Sequence, residues 1–183
     1  MMQGRKIADA YSRSLAEFFP EAFGNAYLAQ TATLMGIRET RRILGDYVLT
    51  LDDYLDRRTF PDDICRNAYF IDVHHTSEQR EKVNDPAWMA KRTLHYGAGE
   101  SHGIPYRCLT PKGLPNVLVA GRSISTDRQV QGSTRVMPVC LAMGEAAGIA
   151  AALAAEAAAP DVHAVDVPHL QARLREVGAY LPE

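Results

Sequence analysis

The run NVLVAG (Asn116–Gly121) is continuously apolar and closes on a glycine. A polar crossover, RSISTDRQVQGST, follows it, and then comes RVMPVCLAMGEAAGIAAALAAEAAA, whose residues 145–159 include ten alanines. No other stretch restricts the fold as much. An apolar run ended by glycine reads as a buried parallel strand, and the alanine-rich run as a long helix starting near Val136, with Pro138 in the first turn where its missing N–H costs nothing. The small residues Gly144, Ala147, Gly148 and Ala151 allow one helix face to approach another backbone closely. Together they predict a β–α unit. Its glycine lets a ligand come near the backbone, and its helix start offers unpaired N–H groups to an anion or a carbonyl.

The same helix is the most lipid-like part of the chain, yet it carries Glu145 and Glu156, and alanine gains little on transfer to hydrocarbon. A globular core helix is therefore expected, not a membrane span. The N-terminus has no continuous apolar stretch of signal-peptide type. Twenty basic against 22 acidic residues give a net charge of −2, which removes the electrostatic case for a nucleic-acid partner. Cys65, Cys108 and Cys140 lie far apart and leave an odd one over, so neither a disulfide framework nor a closed zinc or iron–sulfur site is expected. A reducing cytoplasm is the expected compartment.

Upstream, Arg5–Met35 reads as two helices parted near Pro20, with Ile7, Tyr11, Leu15 and Phe18 at helical spacing. Gly36–Thr50 predicts strand, turn and strand around Gly45-Asp46, and Leu51–Arg58 a short acidic helix with Asp52 and Asp53 at the positive end of its dipole. Strands are expected at Ala68–Val73 and Ile104–Leu109, and a loop or flap at His75–Gly103. Leu170–Val177 closes the chain as an amphipathic helix capped by Gly178.

RETRRILGDYVLT, FPDDICRNAYFIDVHH, IPYRCLTPKGLPNVLVAGRSIS and QGSTRVMPVCLAMGEAAGIAAALA together resemble the C-terminal part of the FAD-dependent oxidoreductase family, with a glutathione-reductase-like flavin domain. The resemblance spans about Gly36 to Gly178. It implies an α/β fold: the C-terminal portion of an FAD-binding Rossmann-like domain plus a β-rich substrate (cap) domain segment. The implied organisation is a helical N-terminal segment at 1–35, the substrate-domain segment at 36–110, the flavin-domain part at 111–160 and a C-terminal helix at 161–183. FAD is the implied cofactor. The resemblance puts Gly121 and Arg122 beside the ribityl and pyrophosphate, and Arg135, Val136, Met137 and Pro138 under the isoalloxazine. The Val136 and Met137 amides would then face the flavin O2 edge. The family's opening GxGxxG fingerprint is not found, since Gly97-Ala98-Gly99 has neither its spacing nor its strand context. This makes a complementary N-terminal half, or a second copy of the chain, the expected macromolecular partner beside a small-molecule substrate.

Two residues are candidates for chemistry. Arg135 can bind a substrate carboxylate or stabilise negative charge on the flavin; the plainer alternative is a surface ion pair with a carboxylate such as Asp127. His74, in Asp72-Val73-His74-His75, is suited to proton transfer, against a purely structural histidine; a metal site there lacks an evident third ligand. Arg38, Glu39, Arg41 and Arg42 are expected to form a solvated, salt-bridged face. Ser101 and His102 lack the context of a nucleophile elbow, and Cys140 reads as an inert core thiol.

Overall fold

The computed structural model describes residues 2–34, 36–73, 95–158 and 160–182. His74 and His75, and most of the expected flap, lie outside the described residues. The chain divides into two compact units, Met1–Arg38 and Glu39–Glu183.

The first unit holds α1 (Met2–Phe18) and α2 (Pro20–Phe23), parted as the proline predicts. The apolar positions Ile7, Tyr11 and Phe18 of α1 are exposed.

In the second unit the order is α3 (Leu51–Leu55), β1 (Asp63–Asn67), β2 (His102–Pro105), α4 (Arg128–Thr134), α5 (Met137–Glu156) and α6 (Val167–Glu176), with short 3-10 turns between. This is a mixture of helices with a small sheet. β1 and β2 pair antiparallel, Cys65 opposite Ile104 and Asn67 opposite His102, with an irregularity between Asp63 and Cys65. α3 forms where the acidic helix is expected. Thr50 caps it, its hydroxyl accepting from Asp53 N while the Asp53 carboxylate accepts from Thr50 N, a reciprocal box at the helix start.

α5 buries Val139, Met143, Ala146, Ala150 and Ala154, a stripe at spacings of three and four. All of these but Ala154 join Leu49, Ile64, Ile104, Leu109, Val130, Leu170 and Leu174 in one apolar cluster, so segments from 49 to 174 share a core. Among the described residues α5 is the one helix long and apolar enough to cross a membrane by length and composition. Of the small residues Gly144, Ala147, Gly148 and Ala151, all but the half-buried Ala147, which packs on the core, face outward. Gly144, Gly148 and Ala151 are exposed, and a Cβ on either glycine would meet no atom within 4 Å. Met137 and Leu141 on the outer side are 80% and 74% exposed.

Several expected strands do not form. Residues 117–120 belong to no sheet and are half-buried; Ala120 is extended, and Val119 N donates to Leu109 O at 2.9 Å. A parallel strand needs neighbours on its edges, and the described residues supply none. The stretch 68–73 is likewise no strand. Its polar groups go to side chains instead: Asn67 Oδ1 accepts from Tyr69 N, Ser133 Oγ donates to Tyr69 O, and Arg135 Nη2 donates to Asp72 O. In 36–50 the strand pair reduces to isolated bridges, Gly45 with Pro111 and Leu49 with Thr126. The strand expected at Ile104–Leu109 starts two residues early, at His102, and turns into a 3-10 helix at Tyr106. The polar crossover contains α4, a helix the sequence reading missed. It is set by Asp127, whose carboxylate accepts from Val130 N at 2.8 Å.

Candidate functional site

Gly121 follows the extended Ala120 with φ of +77° and opens the turn Gly121–Ser123. That φ is the reason for glycine here, because space alone would admit a Cβ; its nearest neighbour would be Cys140 Sγ at 3.9 Å. The same distance brings the glycine turn against the first turn of α5. The two halves of the β–α unit named from sequence, Gly121 and the residues around Pro138, are therefore brought together although no strand joins them.

The start of α5 is open. Val136, extended at φ −76° and ψ 153°, occupies its N-cap position and has no side-chain oxygen to accept from the first-turn N–H groups. Pro138 lies in the first turn, as expected. Met137 and Pro138 are exposed and Val136 is half-buried. Arg122 is exposed, and its charge opposes the burial that pushes the Cys140 thiol up. The half-buried Cys140 thiol lies 3.5 Å from Thr134 O, consistent with an inert group.

Arg135 caps the C-terminal end of α4 and reaches Asp72 in the 69–73 segment. Its Nη2 donates to Asp72 O at 2.8 Å and to Asp72 Oδ2 at 3.0 Å. The arginine side chain is 13% exposed and that of Asp72 35%. The expected surface partner, Asp127, is committed elsewhere, accepting from Leu51 N at 2.6 Å as well as capping α4. Three further contacts fix the geometry. Ser133 Oγ donates to Tyr69 O at 2.6 Å, Asn67 Nδ2 donates to Ser133 Oγ at 2.7 Å, and Gly132 lies against the Asp72 carbonyl. From sequence, Asp72 stands out only as part of the Asp72–His75 run, where it could serve a metal site together with His74. The DVHH run was the available signal, but nothing in the spacing linked it to a residue 63 positions away.

His74 lies outside the described residues. Among those described, no three His, Cys, Asp or Glu side chains gather as a metal site would need. The Arg/Glu run yields an Arg42–Glu39 ion pair, with Arg42 Nε also donating to Thr126 O at 3.0 Å. His102 is fully buried on β2, where burial pushes its imidazole down to about 3. A cavity of about 390 Å³ bordered by Thr59, Phe60, Gln171 and Arg175 shares no residue with the Gly121 site, and one of about 180 Å³ beside Pro115 and Ala155 meets the run before Gly121 at Asn116 and Leu118 but not Gly121 or the α5 start.

The open helix start, the left-handed glycine against it and the exposed Arg122 next to that glycine suit a ligand carrying carbonyl and phosphate oxygens. The family model for FAD dependent oxidoreductases matches residues 1–174, nearly the whole chain. The chain belongs to that family, whose cofactor is FAD. The match starts at residue 1 and so takes in the helical segment that the quoted motifs left aside. No curated protein and no solved structure matches the chain.

Proposed function

We propose that this chain provides the isoalloxazine and ribityl side of an FAD site of glutathione-reductase-like type, in an enzyme that moves a hydride or electrons between a small organic substrate and the flavin. The observation that carries the reading is the contact of Gly121, at positive φ, with the uncapped first turn of α5. FAD supplies the redox chemistry when bound. The chain's own residues bind and orient it. The Val136 and Met137 amides and the dipole of the 20-residue helix α5 favour an electron-rich carbonyl edge. Gly121 lets a ribityl chain lie on the backbone, and Arg122 attracts the pyrophosphate. Arg135 sits at the substrate end, with His74 as the proton-transfer candidate.

The ADP half of such a site normally rests on a GxGxxG turn, so we propose that a dinucleotide-binding half completes it, within a longer chain or as a partner. Supporting this is the outer side of α5, where Met137, Leu141, Gly144 and Gly148 are exposed although a helix with this composition normally packs on both sides. The site is proposed to work in the cytoplasm, on a small molecule, with neither nucleic acid nor membrane as partner. A second reading, a non-catalytic interaction module, is favoured by that same bare face.

The test is the absorbance between roughly 350 and 500 nm of the chain with FAD, alone and joined to a GxGxxG-bearing half. A flavin band retained after dialysis by the joined protein, and lost from the chain alone, is expected. No band in either leaves the interaction module.

A further inference from the structure

Arg135 approaches the site with its guanidinium already engaged. Two acceptors of Asp72, the backbone carbonyl oxygen and Oδ2, face Nη2 at 2.8 and 3.0 Å, which matches the two protons that nitrogen carries. Both bidentate edges of a guanidinium use Nη2, one pairing it with Nε and the other with Nη1. With Nη2 taken, neither fork is open to a carboxylate, while Nη1 and Nε have no acceptor among the described residues and each offers a single-point contact. The charge argument runs in the same direction. Asp72 brings a carboxylate to the guanidinium, so an incoming anion meets a neutral pair whose negative member is the more exposed, at 35% against 13%. The backbone also resists release: Gly132 packs on the Asp72 carbonyl, and Ser133 and Asn67 hold the segment two residues upstream.

We infer that Asp72 is a specificity-determining residue: by occupying Nη2 of Arg135 it makes this position select a neutral carbonyl or hydroxyl group over a carboxylate. In placing that group at the substrate end the inference rests on the proposed flavin site. The selection itself is a property of the described chain.

The test uses the full 183-residue chain labelled with ¹⁵N, and two probes of the same shape that differ in charge, benzamide and benzoate. The Arg135 Nε–H resonance, assigned by its loss in Arg135→Lys, reports binding. Benzamide is expected to shift it, with benzoate at least about tenfold weaker. In Asp72→Asn, which keeps the backbone carbonyl contact, benzoate should tighten at least about tenfold and benzamide change by less than about threefold. The wild-type comparison needs no variant, so a poorly folded Asp72→Asn would not remove the test. Wild type preferring benzoate, an Asp72→Asn variant with the wild-type ratio, or a resonance that neither probe moves would each overturn the proposal. Absence of flavin from the joined protein, with benzamide still preferred here, would remove the flavin reading alone.

Discussion

Gly132 packs directly beneath Asp72: a Cβ built there would stand 3.1 Å from the Asp72 carbonyl oxygen and 2.5 Å from Val73 Cγ2. The contact presses α4 onto the 69–73 segment and sets where Arg135 reaches it. The valine methyl can turn aside, but the backbone carbonyl has to move by a few tenths of an ångström.

Gly132→Ala is therefore expected to destabilise the protein by about 1–3 kcal/mol, the usual range for overpacking a filled site. Urea unfolding should show a lower midpoint with an unchanged slope. A midpoint equal to wild type would mean that α4 is not seated on this segment.

Tyr96 links two elements through one oxygen. Its hydroxyl donates to Tyr54 O at 2.8 Å and lies 2.7 Å from His102 Nδ1, so His102 Nδ1–H is the donor in that second contact. Among the described residues, His102 Nε2 is buried without a hydrogen-bond partner. Tyr96→Phe leaves the imidazole with no polar partner among the described residues on either nitrogen, and a loss of about 1–3 kcal/mol is expected in thermal or urea unfolding. No change would show that buried water already serves the ring.

His163 joins the C-terminal part of the chain to the turn at Asp46. Its Nδ1 lies 2.6 Å from Asp46 Oδ2 and its Nε2 3.3 Å from Leu114 O, so the protonated ring finds acceptors on both sides. The hydrogen bond to Asp46 raises the imidazole above its ordinary value against a smaller effect of burial. Burial alone would raise Asp46, but hydrogen bonds from Thr110 and His163, with the charges of His163 and Lys112, hold its carboxyl below the usual range. The raised histidine stabilises the fold fully below its unfolded value near 6.5, and that contribution is lost as pH rises through the folded value. The lowered aspartate stabilises above its unfolded value near 3.8 and loses this as pH falls through the folded value. Both contributions are therefore present between about pH 4 and 6.5. The Tm difference between wild type and His163→Ala should be widest in that window and shrink as pH rises above it through the raised value of the histidine. A difference independent of pH would contradict the pairing.

In the protein joined to a dinucleotide-binding half, Arg135→Met and Arg122→Met should separate. The first is expected to retain FAD and lose about 10²- to 10³-fold in turnover, the scale of one transition-state contact. The second should lose flavin first. The opposite pattern would reverse the two roles, and silence in both would make the motif structural.

The helices were the legible part of this sequence. The Pro20 break in the N-terminal helices, the acidic helix after Thr50, Pro138 in the first turn of the alanine-rich helix and Gly178 at the end all act through neighbours in the chain, and all four lie where local rules put them. Strands depend on partners distant in sequence. The apolar run at Val117–Ala120 has strand composition, yet the described chain offers it no edge to pair with, and the AYFIDV segment gives its carbonyls to Ser133 and Arg135. α4 was missed because its apolar periodicity is weak; the aspartate before it was the available signal. At the site, Gly121 and the α5 start were readable as one unit, whereas the Asp72–Arg135 pair depends on a fold contact that no local pattern encodes.

The most direct test of the flavin site removes one N–H and little else. Met137 is the first residue of α5, where proline fits helix geometry, and the extended Val136 before it already has the conformation a following proline requires. In the protein joined to a dinucleotide-binding half, Met137→Pro should keep its helix content while FAD affinity, measured by equilibrium dialysis, falls about tenfold, as expected for one lost hydrogen bond. An FAD affinity equal to that of Met137 wild type, in a variant with unchanged helix content, would contradict the placement of the flavin at the start of α5.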